Sequence, residues 1–165
     1  MKSENKRENM VRLVPMTESE YETYLEKAIQ EYAADRVHAG HWSEEDALDR
    51  SRKSYRELLP QGIKTENNYL FRVQLEESGE AIGMVWLKHE APRPYGFIYE
   101  IMLDETQRGK GYGKQAMLAL EEFARGMGLE IISLHVFTHN TVAIRLYEGL
   151  GYEVTNQNMV KRLKP

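Results

Sequence analysis

The chain has 165 residues, of which 41% are hydrophobic and 29% are charged, and its formal net charge is -4. This length and composition predict one soluble globular domain over residues 1–165, and the mild acidity argues against a nucleic-acid partner held by a broad basic surface. The absence of cysteine excludes disulfides and thiolate chemistry, and the absence of an apolar run of about 20 residues argues against a membrane span.

The first third of the chain predicts one strand and two helices. Residues 1–9 are polar, lack an apolar leader and are expected to form a flexible tail of a cytoplasmic protein. The segment Val11–Pro15 has the composition of a short strand. A capping box then predicts a helix over 17–39, and Ser43 opens a second helix that ends before Pro60.

The middle of the chain changes to strand-like periodicity. Segments 69–75 and 81–87 are rich in β-branched and aromatic residues and flank a turn, so they predict a hairpin. Segment 97–103 is a nearly continuous apolar run, which indicates a central strand covered on both faces. Glu100 is the one charged residue in this run.

The last third alternates between helical and strand-like segments. Apolar residues recur at helical spacing over 113–127, and 131–137 is a second buried type of strand. Asn140 is placed to cap a fourth helix, and a last strand is expected over 158–163. No metal site is predicted.

The segment 107–114, QRGKGYGK, lies between a predicted buried strand and the predicted start of the third helix. Backbone N–H groups at a helix start lack intrahelical partners, the helix dipole adds partial positive charge, and glycines let an anion approach the backbone. Arg108, Lys110 and Lys114 add complementary charge for phosphate or pyrophosphate. The loop therefore predicts a site for the anionic part of a cofactor.

Other interpretations of this loop are weaker or less specific. A P-loop is excluded because no glycine precedes Gly113 and Lys114 at the required spacing, and Gln115 holds the hydroxyl position. A Rossmann fingerprint would need a glycine in place of Lys114 and an accompanying βαβ unit. Considered alone, the loop is better explained as a flexible turn with solvated basic residues.

The residues around the loop decide between these interpretations. The segment 108–113 fits R-x-x-G-x-G, with 101–103 upstream and 139–152, which contains Asn140 and Tyr147, downstream. Together these motifs resemble the GNAT family of N-acetyltransferases. The resemblance implies an α+β fold with a mixed, mostly antiparallel sheet of six to seven strands, about four flanking helices and a splayed central strand pair.

The resemblance also implies acetyl-CoA as cosubstrate and assigns residues to it. The pyrophosphate would be bound by Arg108, Gly109, Lys110, Gly111, Gly113 and Lys114. The backbone of Ile101, Met102 and Leu103 would pair with the pantetheine arm, and Asn140 would lie beside that arm. Tyr147 would bind there too and protonate the departing thiolate; as residues alone, Asn140 is explained as a helix cap and Tyr147 as a core aromatic.

Glu100 is the candidate catalytic base. A carboxylate on a buried strand should have its pKa raised by desolvation unless a cation offsets this effect. The family's best-described pattern places a basic glutamate three residues earlier, where this chain has Phe97, and an odd offset reverses the face unless a bulge intervenes. Base, ion-pair partner and anchor for the substrate ammonium all stay open for Glu100, with His135 and His139 as outside candidates.

The acceptor pocket is expected at the joint of the first two helices, residues 36–46. This segment combines His38, His41 and Trp42 with several acidic residues, which suits an amine, although a capped helix with a solvated acidic turn explains it equally well. The predicted reaction is direct acetyl transfer to a primary amine of a small molecule or a peptide. A catalytically silent CoA-binding module is the alternative, and a homodimer is compatible with the sequence.

Overall fold

The computed structural model describes residues 10–164, so the predicted tail 1–9 lies outside the described residues. These residues form two compact units, divided between Leu134 and His135. The first unit holds all five strands and three of the four helices, and the second holds one helix followed by irregular chain.

The first unit is built on one five-stranded sheet in which neighbours in sequence are neighbours in space. The strands are β1 (Val11–Pro15), β2 (Asn68–Leu75), β3 (Ala81–His89), β4 (Tyr95–Leu103) and β5 (Ile131–Leu134). The first three pairings are antiparallel and the β4–β5 pairing is parallel. The expected α+β fold with a mixed, mostly antiparallel sheet is confirmed, but the sheet has five strands rather than six to seven.

The helices begin close to where the capping residues predict. They are α1 (Glu18–His38), α2 (Glu44–Leu58) and α3 (Tyr112–Gly126) in the first unit, and α4 (Thr141–Gly149) in the second. The Thr17 hydroxyl accepts from the Glu20 amide at 3.2 Å, and the Ser43 hydroxyl accepts from the Asp46 amide at 3.4 Å. Each cap satisfies an amide that has no partner inside its helix.

The two faces of the sheet pack against different helices. On one face, Leu70 and Trp86 form a buried cluster with Tyr21 of α1 and with Leu59, which follows α2. Successive side chains of a strand point to opposite faces, and Phe71, the neighbour of Leu70, contacts Phe123 of α3 with ring centroids 4.9 Å apart. The sheet therefore lies between the α1–α2 pair and α3.

The predicted last strand, 158–163, does not form. Within the described part of the chain, residues 152–162 have no regular structure, and Met159 and Val160 are 94% and 89% exposed. A strand is stabilised by a neighbouring strand and a packed face, and this segment has neither. β5 also ends earlier than predicted, at Leu134. Among residues 10–164, no helix is long and apolar enough to cross a membrane.

Candidate active site

The parallel pairing of β4 with β5 covers only the first half of β4. It runs from Tyr95 opposite Ile131 to Ile98 opposite Leu134, whereas the antiparallel pairing with β3 continues to Leu103. Beyond Ile98, β4 therefore has no β5 partner within residues 10–164. This strand edge includes the residues that the sequence predicts to pair with a pantetheine arm, Ile101, Met102 and Leu103.

A β-bulge lies in β4 at the point where the pairing with β5 stops. The register pairs Ile98 with Leu87 and Glu100 with Trp86, so Tyr99 is an extra residue on β4. A bulge of this kind reverses the alternation of side chains along the strand. Glu100 consequently shares its sheet face with its register partner, Trp86, which faces α1 and α2.

The bulge determines whether Phe97 and Glu100, which are three residues apart, lie on the same face of the sheet. Without it, the three-residue separation would place Phe97 and Glu100 on opposite faces. With Tyr99 as the extra residue, both side chains lie on one face, and the rings of Phe97 and Tyr99 are in contact with centroids 5.0 Å apart. Glu100 thus lies on the same sheet face as Phe97, the position that the resemblance gives to a basic glutamate.

The Glu100 carboxylate is enclosed and has a neutral hydrogen-bond donor. Tyr24 of α1 donates its hydroxyl proton to Oε2 of Glu100. Burial raises the pKa of Glu100; the Tyr24 hydrogen bond opposes this rise, Glu31 adds to it and Lys27 opposes it. Glu100 forms no ion pair with any residue in 10–164, so the structure gives no support to a structural ion-pair role.

Two tyrosines near Glu100 were not singled out in the sequence. Burial and the neighbouring Glu100 raise the pKa of Tyr24 well above its usual range, and the same two causes raise the pKa of Tyr55, on α2, to about 12. The sequence signal that could have identified Tyr24 was its spacing. It lies three residues after Tyr21, on the side of α1 that faces the sheet. A tyrosine hydroxyl on a buried helix face needs a partner.

Aromatic rings form a continuous series of contacts from the α1–α2 joint to β4. In order the rings are Trp42, Tyr32, Tyr55, Trp86, Tyr99 and Phe97. The guanidinium of Arg36 lies 5.7 Å from the Tyr32 ring and 5.3 Å from the Trp42 ring. Arg36 also contacts Nδ1 of His41 at 3.0 Å.

This arrangement changes the expectation for the joint, 36–46. The cation over the Trp42 ring is the guanidinium of Arg36, so this ring does not offer a free place for a substrate ammonium. The acidic residues after Ser43 form the first turn of α2, where they complement the helix dipole. A half-open cavity of about 200 Å³ lies between α1 and α2, with Tyr55 and Arg56 in its lining.

The glycine-rich loop has two glycines in the left-handed conformation just before α3. Gly109 and Gly111 have φ of 75° and 84°, conformations that glycine adopts without a Cβ clash. A Cβ built at either position would meet no atom within 4 Å among residues 10–164. Gly111 is the N-cap of α3 and makes no side-chain capping bond, so nothing on the cap residue itself covers the first amides of α3.

The side chains of the loop connect it to the end of β4. Nε of Arg108 donates to the Leu103 carbonyl at 3.2 Å, and Nζ of Lys110 donates to Oε1 of Gln107 at 3.3 Å. Lys114 is exposed on the first turn of α3. Arg108 thereby joins the loop to the open edge of β4 within one unit.

The second unit carries the remaining predicted residues. Asn140 caps α4 by accepting from the Ala143 amide at 3.3 Å. Burial raises the pKa of Tyr147, whose ring lies 5.9 Å from that of Tyr152. The exposed His135 and His139 both contact the Phe137 ring. No group of three or more histidine or acidic residues in the described part of the chain is placed to hold a metal ion.

Residues 31–152 match the model of the Acetyltransferase (GNAT) family. The chain belongs to the GNAT acetyltransferase family. Bacillus subtilis (strain 168) has two relatives similar to it over nearly their full lengths. The uncharacterized N-acetyltransferase YycN is 41% identical over 93% of this chain and 99% of its own, and YdgE, described in the same words, is 37% identical over 92% and 97%.

Solved structures agree with this GNAT assignment. The crystal structure of YycN superposes with a TM-score of 0.82 at 40% identity, covering 94% of this chain and 100% of that one. AAC(6')-Iy in complex with the bisubstrate analog CoA-S-monomethyl-acetylneamine has a TM-score of 0.55 at 14% identity, with 95% and 100% coverage, and shows the shared fold alone. The protein is thus an N-acetyltransferase of the GNAT type, a family that generally uses acetyl-CoA.

Proposed function

We propose that this enzyme transfers the acetyl group of acetyl-CoA directly to a primary amine of a small molecule or a peptide. The observation that carries the proposal is the position of Glu100. The bulge at Tyr99 turns this carboxylate to the α1–α2 face, at the point where β4 loses its β5 partner. A carboxylate with a raised pKa and no fixed cation is suited to take a proton from an ammonium group.

The cosubstrate is proposed to bind along the loop and the open edge of β4. The pyrophosphate would be held by the first amides of α3 and by Arg108, Lys110 and Lys114, because these groups present positive charge beside glycines with no Cβ. Ile101–Leu103 lie on the edge of β4 that β5 leaves open, where the strand backbone would pair with the pantetheine amides. Asn140 is assigned to the same arm by family resemblance.

The chemistry requires one proton acceptor and one proton donor. When bound, acetyl-CoA supplies the thioester carbonyl and the thiolate leaving group. Glu100 takes a proton from the substrate ammonium, directly or through a water, and so frees the lone pair of the amine for attack. By family resemblance, Tyr147, whose pKa is raised by burial, would give its hydroxyl proton to the departing sulfur, and the second proton lost by the acylated nitrogen would restore it, directly or through a water. The chain has no cysteine, which favours direct transfer over an acyl-enzyme.

The acceptor is proposed to approach Glu100 from the α1–α2 side. Tyr24 and Tyr55 flank the carboxylate there, and Glu31 adds negative charge. Such surroundings favour a cationic amine over an anionic acceptor. Because the composition indicates a soluble protein without disulfides, we place the reaction in the cytoplasm.

A thiol-release assay tests the proposal. Wild type is incubated with acetyl-CoA and a panel of polyamines, amino acids, amino sugars and peptides. Gly111→Glu blocks the anion cradle with a charge, and Gly128→Glu is its matched control, since Gly128 also has a positive φ and open space but lies after α3, beyond its other end. We expect amine-dependent release by wild type and Gly128→Glu but not by Gly111→Glu.

The other outcomes are equally informative. Calorimetric binding of CoA without release for any amine would favour the catalytically silent CoA-binding module. Failure to bind CoA at all would reject the assignment of the loop. Release that survives in Gly111→Glu at the wild-type rate would also reject it.

A further inference from the structure

Glu100 has one hydrogen-bond partner among residues 10–164, and that partner comes from a distant part of the chain. Oη of Tyr24 donates to Oε2, across 76 positions of sequence. Oε1 accepts no hydrogen bond from the described residues. The carboxylate is therefore fixed through one oxygen, and the other is available to a substrate or a water.

We propose that Tyr24 is a positioning residue for acetyl transfer, one that orients the Glu100 carboxylate through Oε2 and favours its ionised form. The inference rests on the proposed role of Glu100 as proton acceptor. In this arrangement the substrate proton passes to Oε1, and Tyr24 keeps its own proton throughout. No family motif in the sequence includes Tyr24.

The packing of Tyr24 suits a fixed donor. Its side chain packs against the buried cluster that contains Tyr21, Leu59 and Trp86. It projects from the second turn of α1, a 21-residue helix, rather than from a loop. A donor held on a rigid element positions its acceptor more precisely than one on a mobile segment.

The charges around Glu100 show why this donor matters. Burial disfavours the carboxylate form and Glu31 of α1 repels it, so both raise the pKa of Glu100. The Tyr24 hydrogen bond is the first influence that lowers this pKa, ahead of Lys27, which is exposed and paired with Glu31 at 3.7 Å. On α2, Tyr55 faces the same carboxylate, and Tyr99 of β4 packs against the same buried cluster as Tyr24.

Tyr24 cannot itself serve as the base. Burial and the adjacent Glu100 raise the pKa of its hydroxyl far above neutrality. The phenol therefore stays protonated and donates. Its contribution to the reaction is to keep Glu100 able to accept a proton at lower pH than burial alone would permit.

The test compares Tyr24→Phe with Tyr21→Phe as a matched control. Tyr21 lies one turn earlier on α1, in the same buried cluster. Removing its hydroxyl leaves the hydrogen bond from Tyr24 to Glu100 in place. Without the Tyr24 donor the pKa of Glu100 should rise. We expect kcat/KM of Tyr24→Phe to be about tenfold below wild type on the acidic limb of the pH profile, with a smaller deficit at alkaline pH, where only the loss of orientation remains.

That pH pattern separates positioning from a purely structural role. A general loss of packing would lower kcat/KM equally at every pH, and such a result would overturn the inference. Tyr21→Phe should keep the wild-type profile. A displaced acidic limb in Tyr21→Phe as well would also overturn it, since the effect would then not depend on the hydrogen bond.

A second readout does not depend on catalysis. Carbon-13 NMR of proteins labelled at the glutamate carboxyl carbon follows the titration of Glu100, whose signal is assigned with Glu100→Gln. We expect a higher pKa for Glu100 in Tyr24→Phe than in wild type or Tyr21→Phe, and an unchanged pKa would refute the inference. If wild type transfers no acetyl group to any amine, the proposed function fails, while this titration still tests the Tyr24–Glu100 interaction.

Discussion

Glu100 combines burial with a single neutral donor, and this combination sets its chemistry. A fixed cation beside the carboxylate would lower its pKa and make it a weak base at neutral pH. Tyr24 instead lowers the pKa only partly, so burial still dominates. In the proposed mechanism this balance lets Glu100 accept a proton from a substrate ammonium.

Replacing Glu100 and Tyr147 should reduce activity to different degrees. Glu100→Gln keeps the shape and an acceptor oxygen for Tyr24 but cannot take a proton, so we expect kcat/KM to fall about 100-fold or more. Tyr147→Phe should cost only about tenfold, because a thiolate leaves with little protonation. Steady-state thiol release with the best amine measures both. A larger loss in Tyr147→Phe than in Glu100→Gln would contradict the assigned roles.

At the scale of elements, the backbone of β3 approaches β4 too closely for a side chain at Gly83. A Cβ at this position would lie 2.2 Å from the Met102 carbonyl oxygen and 2.9 Å from a methyl carbon of Leu103. These two residues belong to the open edge of β4. The glycine thus lets β3 support β4 where β5 no longer does.

Gly83→Ala should therefore destabilise the fold. We expect the free energy of unfolding to fall by about 1–3 kcal/mol, because the backbone must shift to admit the methyl group. Gly126→Ala is the control, since a Cβ there meets nothing within 4 Å in the described residues and alanine favours the helix. Urea unfolding of both variants measures the difference. Equal stability of Gly83→Ala and wild type would show that β3 and β4 can separate without cost.

Element positions were predictable where the signal is local. Thr17, Ser43 and Asn140 mark helix starts through hydrogen bonds that span three residues. The last strand failed because strand composition does not supply a neighbouring strand. The Tyr24–Glu100 hydrogen bond could not be predicted, since it depends on how α1 crosses the sheet and on the bulge at Tyr99.

For the molecule as a whole, the site carries a stability cost that depends on pH. The folded pKa of Glu100 is raised, so its contribution to stability is fully present below its unfolded pKa, 4.5, and is lost as pH rises through the folded value. The folded pKa values of Tyr24 and Tyr55 are also raised, so the same sign applies at alkaline pH. Their contribution to stability is lost as pH rises above the unfolded tyrosine pKa of 10. Both effects make the folded protein less stable as pH increases.

Glu100→Gln should remove the loss of stability that Glu100 causes as pH rises. At pH 7 we expect this variant to be more stable than wild type by on the order of 1 kcal/mol, a common gain when a functional group in an unfavourable environment is neutralised. Near pH 4 the difference should shrink, because wild-type Glu100 is then protonated in the native state. Urea unfolding at both pH values measures the two free energies. Equal stability at pH 7, or a gain that grows towards pH 4, would mean that burial of Glu100 does not oppose folding and would remove the basis for its raised pKa.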